Sequence, residues 1–164
     1  MRSLPVDLVE LADALDRPPE LESVYLDLES GEILHLPEEL EGVDYENAEA
    51  VAEAISEWDE ELVKAARAAS VGDEEDRYAW VPRLESWEMH RIMTEFTQSV
   101  EDEILQLRLF DALDGRGAFS RFRRVLSFVE AERKRWFAWR DRALRDEATA
   151  WLAGLDIAPR DPAV

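Results

Sequence analysis

Apolar positions recur along this chain with two periods, and each period predicts its own kind of element. Leu4, Leu8, Leu11, Ala12 and Leu15 share one helical face. Ser3 stands where a cap is wanted, Pro5 suits a first turn, and Asp16-Arg17-Pro18-Pro19 stops the helix. The period then changes to two. Val24, Leu26 and Leu28 alternate with Tyr25 and Asp27, and Ile33 to Leu36 follows across Gly31. That pattern predicts a β-hairpin whose short loop uses the positive φ open to glycine, with Pro37 closing the second strand.

Glu38 to Asp44 reads as an acidic loop. Val51, Ile55, Trp58, Leu62, Ala65, Ala66 and Ala69 then lie on one stripe, predicting a long helix from about Asn47 to Ala69. Gly72 and the acids Asp73 to Asp76 form a loop, and Arg77 to Pro82 suits a third strand ending at proline. The rest reads as helix. Ser86 can cap the stripe Met89, Ile92, Met93, Phe96 and Val100. Ile104 to Leu113 is apolar over much of its circumference, which predicts a central helix, with Gly115 ending it. Phe119, Phe122, Leu126 and Val129 form the next stripe. Phe137, Leu144, Ala148, Trp151, Leu152 and Leu155 form the last. The fold class expected is α+β: a small antiparallel sheet, made of the hairpin plus a third strand, packed with several helices, the C-terminal half being mainly helical. One domain is expected over residues 1–155, with 156–164 as a loose tail.

Composition narrows the function classes. At 164 residues, folding buries about 70% of the unfolded chain's surface, enough for a core without staples. There is no cysteine, which removes disulfides, cysteine–zinc sites and thiol nucleophiles. His35 and His90 are the only histidines. No apolar run approaches the roughly 20 residues that span a bilayer, and the start of the chain lacks the apolar stretch of a signal peptide. These features predict a cytoplasmic bacterial protein.

Charge adds an asymmetry. The formal net charge is −20. Residues 1–80 hold 24 acids and 5 bases, whereas 81–164 hold 15 and 14. From Arg116 to Arg145 there are ten cations and three acids. The division points to a solvated acidic face or to two faces for different partners. With arginine outnumbering lysine 17 to 2, coding bias or salt adaptation also accounts for part of it.

Several segments, in order, resemble a known family: Tyr25 to Ile33; Tyr78 to Val81 followed by Pro82; Met93 to Phe96; Gly115-Arg116-Gly117-Ala118-Phe119-Ser120-Arg121-Phe122; and Trp136 through Glu147 to Leu152. Over roughly residues 20–155 the chain is similar to the uncharacterised bacterial protein family number 158 of the UPF series. The resemblance implies a shared fold and a bacterial cytosolic protein. It assigns no catalytic or binding residue.

Candidate chemistry is sparse. Gly115-Arg116-Gly117 precedes a helix, but the full phosphate-loop pattern is missing and a helix comes before it, so a helix end and a helix start explain both glycines. Phe119-Ser120-Arg121-Phe122-Arg123-Arg124 mixes rings and guanidiniums as nucleic-acid proteins do, yet Phe119 and Phe122 belong to the apolar stripe and the net charge repels a polyanion. His90 has no paired nucleophile or orienting acid in the sequence pattern. Asp73 to Asp76 lacks the alternation of a calcium loop. Trp87 and Trp139 lie off their stripes, and Trp139-Arg140 fits an interaction surface.

The reading is therefore a non-catalytic, protein-binding or self-associating module with an acidic N-terminal half. Arg116, Arg121, Arg124, Trp139 and Arg140 are its candidate binding residues. No cofactor, metal or membrane is expected, and nucleic acid is disfavoured. The alternatives are nucleic-acid or phosphate binding through the arginines of 116–145, and a hydrolase using carboxylates with His90.

Overall fold

Leu4 and Val6 are buried beside a strand from the far end of the sequence, and that pairing decides how the chain begins. The computed structural model describes residues 1–17, 23–72 and 76–162. Strand β1 (Arg2–Pro5) lies parallel to β5 (Ile157–Arg160), with Arg2 opposite Ile157 and Pro5 opposite Arg160. This corrects two expectations. The first helix does not start at Ser3, and residues 157–160 are not loose tail. Helix α1 (Leu8–Leu15) instead starts after Asp7, whose carboxylate accepts from the amides of Val9 and Glu10. The proposed stop at Pro18-Pro19 lies outside the described residues, as do Asp73, Glu74 and Glu75 of the acidic loop.

The fold is α+β, and the chain clusters into two compact units. Unit 1 comprises residues 1–83 and 147–164, and unit 2 comprises residues 84–146. In unit 1 the hairpin forms as the alternation predicts. Strands β2 (Ser23–Asp27) and β3 (Ile33–Leu36) pair antiparallel, and β4 (Tyr78–Trp80) adds to the other edge of β2, giving the order β3-β2-β4. Gly31 takes φ +81° in the loop, and its α-carbon presses on β1: a side chain there would stand 2.1 Å from the Pro5 carbonyl oxygen.

One sheet face carries Tyr25, Leu34 and Leu36 into a cluster with Leu40, Tyr45, Ala54, Val63, Ala65 and Ala66. Leu40 comes from a short helix, α2 (Glu38–Glu41), within the stretch read as an acidic loop. The long helix expected from 47 to 69 is two helices, α3 (Ala48–Glu57) and α4 (Glu60–Val71). Trp58 is extended at φ −123°, ψ 160°, and Asp59 caps α4 by accepting from the Glu61 amide. The stripe ran on because Trp58 still reaches the core from the break.

Two arginines tie unit 1 together. Arg77, just before β4, grips the buried carboxylate of Asp27 through Nε and Nη2, at 3.0 and 2.8 Å. Arg17 is 9% exposed and donates to the Ala14 carbonyl at the end of α1 and to the Val81 carbonyl after β4. Burial, with the nearby charge of Arg83, lowers its pKa.

Unit 2 is helical. It holds α5 (Ser86–Gln98), α6 (Glu103–Ala112), α7 (Ala118–Leu126) and most of α8 (Glu130–Gly154), whose last residues belong to unit 1. Phe96 is its centre: the rings of Phe122, Trp136 and Trp139 meet it edge to face at 6.2, 5.3 and 5.8 Å. Such pairs add about 0.5–1.5 kcal/mol each beyond burial. Arg135 covers Phe96 at 4.3 Å and bonds Glu132 and Ser99. Helix α6 is not central. Leu105, Leu109 and Ala112 are buried, but Ile104 and Leu107 are about two-thirds exposed and Phe110 is also exposed.

Candidate functional site

The site begins with the turn that joins α6 to α7. Gly115 and Gly117 both adopt positive φ, 82° and 74°, which glycine reaches without the strain other residues incur. The reversal leaves the carbonyls at the end of α6 without helical partners. Two side chains take them up. Arg121, from the first turns of α7, reaches back and donates to the carbonyls of Ala112, Asp114 and Arg116. His90, from α5, donates from Nε2 to the Leu113 carbonyl at 2.8 Å. A carbonyl only accepts, so this bond places the proton on Nε2. Nδ1 faces the Thr94 hydroxyl at 3.5 Å, and that hydroxyl donates to the His90 carbonyl instead.

Glu85 opens α5 where Ser86 was expected to. The Glu85 amide donates to the Glu88 carboxylate at 2.8 Å in a capping box. This start points Trp87 away from the core. Its indole N–H donates to the Glu85 carboxylate, and its ring is 60% exposed.

Between the start of α5, the glycine turn and the first turns of α7 lies a groove of about 570 Å³. Trp87 and His90 line it from α5, and Phe119, Ser120 and Arg123 from α7. Its volume falls in the range of small-ligand and side-chain pockets, about 300–1,000 Å³. Aromatic and small apolar groups make up most of the surface, with one guanidinium in the wall.

The arginines predicted from sequence are sorted by this geometry. Arg116 is exposed at the tip of the turn, between the two glycines that line the groove. Arg121 is committed to three carbonyls and holds the turn. Arg124 is exposed one helical turn beyond Ser120, on the same face. Trp139 and Arg140 are not in the groove: Trp139 stacks edge-on against Phe96, and Arg140 approaches Asp141 at 3.8 Å. Arg123, which the sequence offered only within the arginine set of 116–145, is the arginine that lines the groove. Its signal was its spacing, four residues after Phe119 and so on the same helix face. Among the described residues no carboxylate bonds His90, and no group of three or more His, Asp or Glu side chains is placed to hold a metal.

The sequence model of the uncharacterised protein family UPF0158 matches residues 1–160 of this chain. The chain belongs to that family. A UPF0158 protein of Pseudomonas aeruginosa is 30% identical to it over 159 residues, covering 97% of this chain and 88% of the relative. No solved structure matches. The UPF0158 match takes in the glycine turn, both walls of the groove and the β1–β5 pair. Among the described residues no helix is long and apolar enough to cross a membrane.

Proposed function

We propose that this UPF0158 protein is a non-catalytic cytoplasmic binding module whose unit 2 groove receives its partner. The observation that carries the reading is Trp87. A large ring held 60% exposed by its bond to Glu85, at the mouth of a groove, is costly to leave in water and is the type of residue that dominates binding energy when covered. The commitment of His90 to the Leu113 carbonyl supports a structural role for it over that of a general base. Affinity capture from a bacterial lysate tests the reading. Wild type and a control variant on α3, Glu49→Ala, retain a discrete protein that Trp87→Ala loses. Identical capture by all three sinks the reading.

Self-association is the second reading, and the exposed stripe of α6 favours it. Ile104, Leu107 and Phe110 follow at intervals of three and form a continuous apolar strip. Sedimentation velocity over a hundredfold concentration range decides this. A concentration-dependent dimer that Leu107→Glu abolishes supports it, and a monomer throughout removes it.

A further inference from the structure

We infer that the groove of unit 2 takes a short acidic segment of another protein, anchored by one aromatic side chain. This rests on the binding-module reading and names the chemistry of the partner. The apolar lining supplies the anchor site. Trp87 and Phe119 line a space of about 570 Å³, within the range that takes small ligands and side chains, and aromatic rings pack favourably on one another.

The rim supplies the charge. From Gly115 to Val129 there are four arginines and no acid. Elsewhere in unit 2, Lys134 pairs with Glu130 and Arg135 with Glu132 on their own helix. Arg116, Arg123 and Arg124 have no ion pair among the described residues. Arg121 does not compete for an outside anion, because it is spent on the carbonyls that shape the turn. An apolar lining beside three unpaired guanidiniums is complementary to carboxylates flanking a ring. At the α5 edge, Glu85 accepts from the Trp87 indole and Glu88 accepts from the Glu85 amide, so both carboxylates are engaged within the cap.

A nucleic acid also offers rings and negative charge. The whole-chain charge of −20 disfavours it, because a long polyanion meets the total field, whereas a short peptide at about 0.15 M salt senses charges within about 8 Å. Unit 2 itself carries 12 acids and 12 bases, so unit 1 holds the entire excess.

Fluorescence anisotropy with the full chain at about 0.15 M NaCl tests the inference. The probes are labelled nonapeptides: one with a central tryptophan between Asp/Glu flanks, one with alanine at its centre, one with lysine flanks, and a labelled oligothymidylate. The acidic tryptophan peptide binds at least about tenfold tighter than the other three, and Trp87→Ala and Arg123→Glu each weaken it about tenfold or more. Both side chains are exposed, so melting temperature stays at the wild-type value and loss of fold does not mimic loss of binding. Tighter binding of the lysine-flanked peptide or the oligothymidylate overturns the inference. So does failure of every peptide while Trp87-dependent capture of a protein persists, and in that case the binding-module reading stands.

Discussion

Arg77 closes on Asp27 with two hydrogen bonds, and it does so where counter-charge is scarcest. Unit 1 holds 27 acids and 7 bases. Asp27 is 2% exposed, so it needs a partner in place. The same guanidinium lies 3.4 Å from Glu29 and 3.7 Å from Glu61, so one cation draws the hairpin turn and α4 to the sheet.

Stability below pH 4 follows from this pair. Burial pushes the Asp27 carboxyl up, but the hydrogen bond from Arg77, the Glu29 amide, Ser30 and the charge of Arg77 outweigh it and bring the pKa from 3.8 to about 2. A folded value below the unfolded one means that stability is fully present above about pH 4 and is lost as pH falls towards 2. At about 1.4 kcal/mol per pKa unit, the contribution is on the order of 2 kcal/mol. Urea unfolding at a series of pH values checks it. Asp27→Asn is less stable than wild type at pH 7, and the gap narrows by about that amount by pH 2. A gap that does not change with pH contradicts the assignment.

Gly31→Ala is expected to damage unit 1. The new methyl meets the Pro5 carbonyl at 2.1 Å, in a backbone conformation that already disfavours side chains. Gly115→Ala has similar φ with nothing within 4 Å, and it isolates the backbone term of about 1–2 kcal/mol. Gly31→Ala exceeds that cost by at least about 1 kcal/mol, the scale of overpacking a closed site. Equal losses in the two variants would show that the hairpin loop withdraws from β1 freely.

Arg121→Ala removes the donors that hold the glycine turn. Charged hydrogen bonds contribute about 1.5–3 kcal/mol where water does not replace them, and this site is only partly buried, so a loss of about 1–2 kcal/mol is expected. Arg121→Lys recovers part of it, since an ammonium does not match the reach of a planar fork. Chemical denaturation measures both. A loss under about 0.5 kcal/mol for the alanine variant would mean that water serves the carbonyls equally well.

Salt separates repulsion from pairing. The ion pairs seen within unit 2 are local helix pairs, which contribute only about 0–1 kcal/mol each at an exposed surface. The surplus of 20 negative charges in unit 1 is larger, and screening relieves it. Melting temperature therefore rises as NaCl increases to about 0.5 M, where the Debye length is well under about 8 Å. A fall would reveal that attraction between acids and arginines dominates.

The parts legible in the sequence are those whose cause is local. The hairpin follows from alternation around Gly31, and the stripe Met89–Ile92–Met93–Phe96 forms the buried face of α5 as its spacing requires. What stayed hidden depends on distant residues. Nothing near Ser3 signals a strand, because the partner of β1 lies about 155 positions away. Asp59 breaks the long helix as a cap, yet the hydrophobic period runs through the break unchanged. The groove was visible only in pieces. His90, the two glycines and Trp87 each drew attention, but their convergence follows from the bond between His90 and Leu113, which no spacing encodes.

The pairing of β1 with β5 also sets an order of events during synthesis. Unit 2 is one continuous stretch, so its contacts close as soon as residue 146 has left the ribosome. The first strand emerges early and finds no mate until residues 157–160 follow, more than 150 positions later. At about 5–20 residues per second, that is a wait on the order of ten seconds or more. Through that interval Leu4 and Val6 lack the strand that later lies beside them. Over that interval the growing chain thus carries an unpaired β-edge, of the kind that templates pairing with other strands.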